Sequence, residues 1–286
     1  MISYSAPISI PFSGEDSALY GKPVLILASD QRVICKIFTG TQSELSPLLQ
    51  LIIDKVTSSL TQRSIPFEKK SFSYVIESDS FLKHSTSYTS AVIVVSVAAL
   101  MEFFAGKEQD TETINILSYQ IEKEYFHFSL GFFTSSSCFG GIQYFRKEFE
   151  FLKNVSRLNF KLPHKIEKRL FIVQGEDLNE SAAESVEKIK SIYNQNASKM
   201  DSVFSQMEKV TKRMVVAIAQ ENETMFENCM LEGIQIQSAL YSDEFKMKRI
   251  GLGQNLYLVY SEEKKIDKTI TFPFILSHGG LKRTDY

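Results

Sequence analysis

The sequence predicts an α+β protein organised as two lobes. Three observations carry this reading: short alternating apolar runs open the chain, two long helical patterns with few breakers fill its second half, and 286 residues at 43% hydrophobic content suit one large core or two moderate ones. Residues 2–12, 24–28 and 32–38 are apolar or alternating runs bounded by Pro, Gly and Asp, the pattern of strands. From Ser43 to Leu60, Leu45, Leu48, Leu49, Ile52, Ile53 and Val56 fall at helical spacing behind a Thr41/Ser43 cap, and Phe72–Ile76 reads as a further strand. Ser90–Phe104 is apolar on every face. Ser96 and Glu102 interrupt it, and it is too short to span a bilayer, so a buried helix is expected. A third helix runs from about Thr111 to Tyr125, and Gly140-Gly141 turns into a strand at Ile142–Phe145.

Leu170–Val173 then reads as a strand and Ser181–Tyr193 as an amphipathic helix. Ala197–Glu221 and Glu223–Leu240 are long helices, and strands close the chain near Leu256–Tyr260 and Thr269–Leu276. The lobe boundary is placed at Leu162-Pro163-His164-Lys165, giving lobes of 1–163 and 164–286.

Charge narrows the function. A net charge of -2, from 32 basic and 34 acidic residues spread along the chain, offers no dense positive stripe, so strong electrostatic binding to nucleic acid is not expected. A small molecule or a protein is the expected partner. Cys35, Cys138 and Cys229 are odd in number and far apart, without CxxC spacing, which argues against a disulfide frame or a metal knot and for a reducing cytoplasm. Met1–Pro7 lacks a basic region followed by an apolar run, so neither a secretory signal nor membrane association is expected.

The most informative stretch is Ser5-Ala6-Pro7-Ile8-Ser9-Ile10-Pro11, then Gly14-Glu15-Asp16 and Tyr20-Gly21-Lys22-Pro23. It resembles the opening of mevalonate kinases, members of the GHMP small-molecule kinases, whose pattern is S-A-P-G-K, then G-E-H and Y-G-K-P. Gly-Lys of that pattern is Ile8-Ser9 here, and its His is Asp16. Further along, Thr86-Ser87-Tyr88-Thr89-Ser90-Ala91 stands where the family has a G-L-G-S-S-A-like phosphate loop. Glu122 to Thr134, with Gly140-Gly141, resembles E-x-x-x-H-G-N-P-S-G-x-D…G-G. Gln174-Gly175…Ala182 and Lys248–Asn255, with Gly251 and Gly253, resemble two later motifs.

The resemblance implies a ribosomal-S5-like N-terminal lobe, a ferredoxin-like C-terminal lobe and ATP-dependent phosphorylation of mevalonate or a related alcohol. It also implies Mg²⁺-ATP, isoprenoid metabolism and a possible homodimer. By position, Glu122 and Ser90 match the magnesium site, Phe133 stands at the catalytic Asp and Ser9 at its Lys partner. Glu15, Asp16, Phe128, Leu130, Phe133, Gln174, Gly251 and Gly253 fall at the substrate pocket, and Ser85, Thr86, Thr89 and Ser90 at the nucleotide loop.

The chemistry at these positions is altered. A phosphate cradle needs backbone amides that a ligand can approach closely, and Tyr88 puts a Cβ and a ring where glycine is expected. Phosphoryl transfer needs a carboxylate at the attacking hydroxyl and a cation on the phosphates. Phe133 and Ser9 supply neither. Lys83 and His84 are either substitutes for the lost cation or members of a solvated loop.

Two readings of the hydroxyl-rich loop stand open, a polar N-cap for a core helix and a modified nucleotide loop. Phe128, Leu130, Phe132 and Phe133 are either core filling or the lining of an apolar pocket. Three functions follow as expectations: a mevalonate-kinase-like binding or scaffold protein without standard phosphoryl transfer and without a cofactor, a kinase in which Glu15, Asp16, Glu122 and Ser90 organise Mg²⁺-ATP, or an apolar-ligand binder.

Overall fold

The computed structural model describes residues 1–40, 45–83, 85–129, 131–149, 152–175, 182–241, 247–250, 256–261 and 270–284. The chain divides into two compact units that interleave along the sequence. The first holds Met1–Ser9, Ala28–Gly141 and Ser277–Tyr286, and the second holds Ile10–Leu27 and Ile142–Leu276. Segment 162–165, expected as the lobe boundary, lies inside the second unit. The division falls within two long strands, β1 (Ile2–Ser13) and β2 (Val24–Thr39), each of which contributes residues to both units.

In the first unit β2 pairs with β3 (Phe72–Glu77), antiparallel from Ile34↔Glu77 to Thr39↔Phe72. β1 pairs with the short β10 (Lys282–Arg283) through Tyr4↔Arg283. Four helices belong to this unit: α1 (Pro47–Gln62), α2 (Thr86–Ala105), α3 (Thr111–Phe126) and α4 (Phe132–Phe139). α2 touches the other three, which explains why it is apolar on every face. By length and composition α2 could cross a membrane, yet most of its side chains are buried in this unit. Its two polar interruptions are both satisfied. Ser96 Oγ lies 2.7 Å from the Tyr74 hydroxyl, and Glu102 accepts from Tyr4 Oη at 2.6 Å and pairs with Arg283 at 3.1 Å.

α1 starts at Ser46, whose Oγ accepts the Leu49 N–H, with Pro47 at the first helical position. The expected Thr41/Ser43 cap lies outside the described residues. α2 begins four residues earlier than the periodicity predicts, because Ser85 caps it by accepting the Tyr88 N–H at 2.9 Å.

In the second unit β4 (Ile142–Phe149) pairs with β2 through Val24↔Phe145 to Leu27↔Ile142, and β5 (Leu152–Leu158) follows on its other side. A separate four-stranded antiparallel sheet has the order β7 (Lys248–Ile250), β8 (Leu256–Tyr260), β6 (Leu170–Gln174), β9 (Ile270–Pro273). The one-turn helix α5 (His164–Glu167) leads into β6, and α6 (Ala182–Gln195), α7 (Ala197–Ala219) and α8 (Glu223–Tyr241) supply the helical mass. A 3₁₀ helix at Glu15–Tyr20 follows Gly14, whose φ of 94° and approach to the Pro23 carbonyl leave no room for a side chain.

Candidate functional site

Some of the sequence-predicted residues fall in two buried polar centres, one in each unit. In the first unit the start of α2, the end of α3 and the start of α4 converge on Glu122, which is 1% exposed. Ser90, one turn into α2, hydrogen-bonds Glu122 Oε1, and Ser129 hydrogen-bonds Oε2. Ser129 reaches this place because His127 caps α3 in the left-handed region at φ 61°, turning the chain back. Ser129 Oγ also accepts the Gly131 N–H at 3.1 Å, which holds the entry to α4.

The nucleotide-loop candidates are engaged with their own helix. Beside the Ser85 cap, the Thr89 N–H donates to the Ser85 carbonyl at 3.1 Å, and Ser90 Oγ lies 2.9 Å from the Thr86 carbonyl. Ser87 Oγ accepts the Ser9 N–H at 2.7 Å, tying β1 to the same turn. Ser9 Oγ is fully buried and has no hydrogen-bond partner among the described residues. The Tyr88 side chain is half-buried, Lys83 is exposed, and His84 lies outside the described residues.

Phe133, where the resemblance puts a catalytic acid, is 5% exposed and packs on Phe132 with ring centroids 4.4 Å apart. Phe128 is half-buried against Phe126, with centroids 5.6 Å apart. Phe132 and Phe133 therefore belong to the packed interior of the first unit. Leu130 lies outside the described residues.

The second unit gathers Glu15 and Asp16 from the 3₁₀ helix, Gln237 and Tyr241 from α8, and Lys248 and Arg249 from β7. Lys248 Nζ meets Glu15 Oε1 at 3.1 Å with both side chains almost fully buried, while Glu15 Oε2 has no partner among the described residues. Asp16 accepts from Tyr241 Oη at 2.7 Å and from Gln237 Nε2 at 2.9 Å. Arg249 reaches Ser185 Oγ at 3.3 Å and lies over the Tyr241 ring at 5.3 Å. Burial pushes the Glu15 carboxyl up to about 7, and the Lys248 ammonium offsets only part of that rise. Burial, then the Asp16 charge, pushes the Tyr241 hydroxyl well above its usual range.

Gln174 is half-buried at the end of β6, in register with Leu256 and Ile270, while Gly251 and Gly253 lie outside the described residues. Sequence reasoning passed over Lys248 and Arg249 as site residues, although they open the last matched motif. Nothing local in the sequence marks Gln237 and Tyr241, which lie more than 220 positions from Asp16.

No protein-family model matches the sequence, and no curated protein is similar to it at the sequence level. Solved structures are similar over nearly the whole chain. The Lin0012 protein of Listeria innocua superposes with a TM-score of 0.79 at 12% identity, covering 99% of this chain and 100% of its own. The mevalonate kinase of Methanococcus jannaschii gives 0.75 at 17% identity, covering 96% and 98%. The Streptococcus pneumoniae phosphomevalonate kinase, solved with phosphomevalonate and AMPPNP, gives 0.72 at 13%, covering 92% and 93%. The chain has the GHMP-kinase fold.

Within the GHMP fold, the centre in the first unit is the one that bears on Mg²⁺-ATP. The turn at Ser85–Ser90 takes up the Tyr88 amide with its own side chain and carries a tyrosine where a phosphate needs close approach. Ser90 and Ser129 each hydrogen-bond one Glu122 oxygen in a buried setting, so the structure brings together Ser90 and Glu122, the two oxygen ligands expected of a magnesium site. The glycine-free turn carrying Tyr88 does not fit a nucleotide held by a glycine-rich loop.

Proposed function

We propose that this chain uses the GHMP fold as a small-molecule binding scaffold and does not carry out standard ATP-dependent phosphoryl transfer to mevalonate. The observation that carries this reading is Phe133, a buried ring packed on Phe132 in the first turn of α4, where the resemblance calls for a carboxylate. A phenyl ring can neither orient nor deprotonate an attacking hydroxyl, and Ser9 brings no cation to the same reaction. Several of the polar candidates support the reading, because they have internal work: Glu122 with Ser90 and Ser129, Ser85 as a helix cap, Glu15 with Lys248 through one of its oxygens, and Asp16 with Gln237 and Tyr241. A carboxylate and a cation do face each other at Glu15 and Lys248, but inside the protein. The test is a coupled assay for ADP release with mevalonate and Mg²⁺-ATP. No turnover above background is expected, and a rate on the order of 1 s⁻¹ would overturn the proposal.

A further inference from the structure

A groove of about 430 Å³ runs between α1 and α3 in the first unit, built from residues that neither polar centre uses. On α1, Lys55, Ser59 and Arg63 recur at intervals of four and form one stripe, with Ser58 and Gln62 beside it; α3 contributes Gln120 and a floor at the buried Leu117. The two serines keep the gap open, since larger side chains there would fill it. Thr113 and the exposed Ile116 complete the lining, and the nearest carboxylates lie at its rim: Glu124 on Lys55, and Asp110, which accepts from Thr113 and lies within electrostatic reach of Arg63.

Its cations are available to a ligand. Arg63, the residue that ends α1, is exposed, and Asp110 acts on it through space without a direct ion pair within 4.0 Å among the described residues. Lys55 pairs with Glu124 at 2.5 Å, but both side chains are more than a third exposed, and such a pair exchanges readily with solvent or a competing anion. Ser58, Ser59, Gln62 and Gln120 have no side-chain hydrogen bond among the described residues, so the α1 wall and Gln120 present open donors and acceptors, while Ile116 adds an apolar face and Thr113 is spent on Asp110.

A bare inorganic anion would use the guanidinium and leave those neutral groups to water. A planar guanidinium recognises phosphate through paired N–H donors, and Ser59 stands one helical turn from it, roughly 6 Å along the axis. We propose that the α1–α3 groove binds a phosphorylated polyol of the sugar-phosphate class, with its phosphate on Arg63 and its hydroxyls on the serine and glutamine side chains. This site does not depend on the loss of phosphoryl transfer argued above.

Calorimetric titration of the full chain with glucose 6-phosphate, inorganic phosphate and glucose tests it. Glucose 6-phosphate should bind with a Kd of about 1 mM or tighter, inorganic phosphate at least about tenfold more weakly, and glucose undetectably. Arg63→Ala removes an exposed side chain, and Ser59→Leu fills the groove without touching Arg63. Each should weaken glucose 6-phosphate at least about tenfold while the circular dichroism spectrum stays unchanged. The proposal fails if glucose 6-phosphate does not bind, if it binds no better than inorganic phosphate, or if its affinity survives either substitution.

Discussion

Glu15 shows how a single buried carboxyl couples stability to pH. Folding raises its pKa from an ordinary 4.5 to about 7, so between those values the folded chain keeps a proton that the unfolded chain has released. The stabilisation that this proton provides is complete below the ordinary value and is lost as pH rises through about 7. Urea midpoints of the wild type should therefore fall between pH 5 and pH 8 more steeply than those of Glu15→Gln, which has no proton to lose; parallel profiles would assign the titration elsewhere. Phe133 makes a different demand on its surroundings. As a buried ring its truncation to Ala should cost about 3–5 kcal/mol in equilibrium unfolding, the range for removing a core phenylalanine. A cost below about 1 kcal/mol would mean that the ring faces open space rather than core.

The segment that follows the last strand expected from the sequence is a strap whose fit depends on one glycine and not its neighbour. Ser277–Thr284 runs back through the first unit. The Ser277 N–H bonds the Ala28 carbonyl at 2.8 Å, the Leu281 N–H bonds the Cys138 carbonyl at 3.0 Å, and Arg32 reaches the Gly279 and Gly280 carbonyls at 3.2 and 2.7 Å. A Cβ on Gly280 would stand 2.2 Å from the Cys138 carbonyl oxygen, whereas one on Gly279 meets nothing within 4 Å. Gly280→Ala should therefore lower stability by roughly 2 kcal/mol or more and Gly279→Ala by less than about 0.5 kcal/mol, as read from paired denaturant curves. Equal effects would sink the close-approach argument. The same strap explains Gly140 in the Gly140-Gly141 pair that the sequence offered as a turn, because a Cβ there would meet the Gly279–Gly280 backbone at 2.5 Å, whereas Gly141 is set by its φ of 67°. Elements with a strong local period were legible in advance, including β8, α3 and the α7–α8 pair. α4 was not, since Thr134 to Ser137 are polar yet wholly buried, which reverses the pattern that marks a helix face. β2 runs unbroken through Asp30, where the sequence reads two strands, because the Ser29 hydroxyl bonds the Ile8 carbonyl at 2.7 Å and Arg32 bonds Ser5.

For the whole molecule, the order of motifs along the chain was enough to anticipate the GHMP fold at 12–17% identity to its solved neighbours, because strand, turn and glycine positions tolerate wide change elsewhere. The polar centres were only half legible, since ion pairs such as Lys248–Glu15 join positions 233 apart and follow from tertiary packing rather than from any local pattern. That packing gives the nucleotide question a direct thermodynamic form. A ligand that binds only the folded chain stabilises it by about 2.7 kcal/mol at a hundredfold excess over its Kd, worth several degrees in melting temperature for a chain of this size. With the Tyr88 amide held by Ser85 and both Glu122 oxygens held by Ser90 and Ser129, Mg²⁺-ATP at about 100-fold the micromolar affinity of a working kinase should shift the melting temperature by less than about 1 °C. Ser90→Ala and Glu122→Gln should leave that small response unchanged, while Glu122→Gln lowers the melting temperature of the free chain by disturbing a buried hydrogen-bonded carboxylate. A shift of several degrees that disappears in both variants would show that the two hydroxyls yield to a cation and that the centre at Glu122 holds a nucleotide after all.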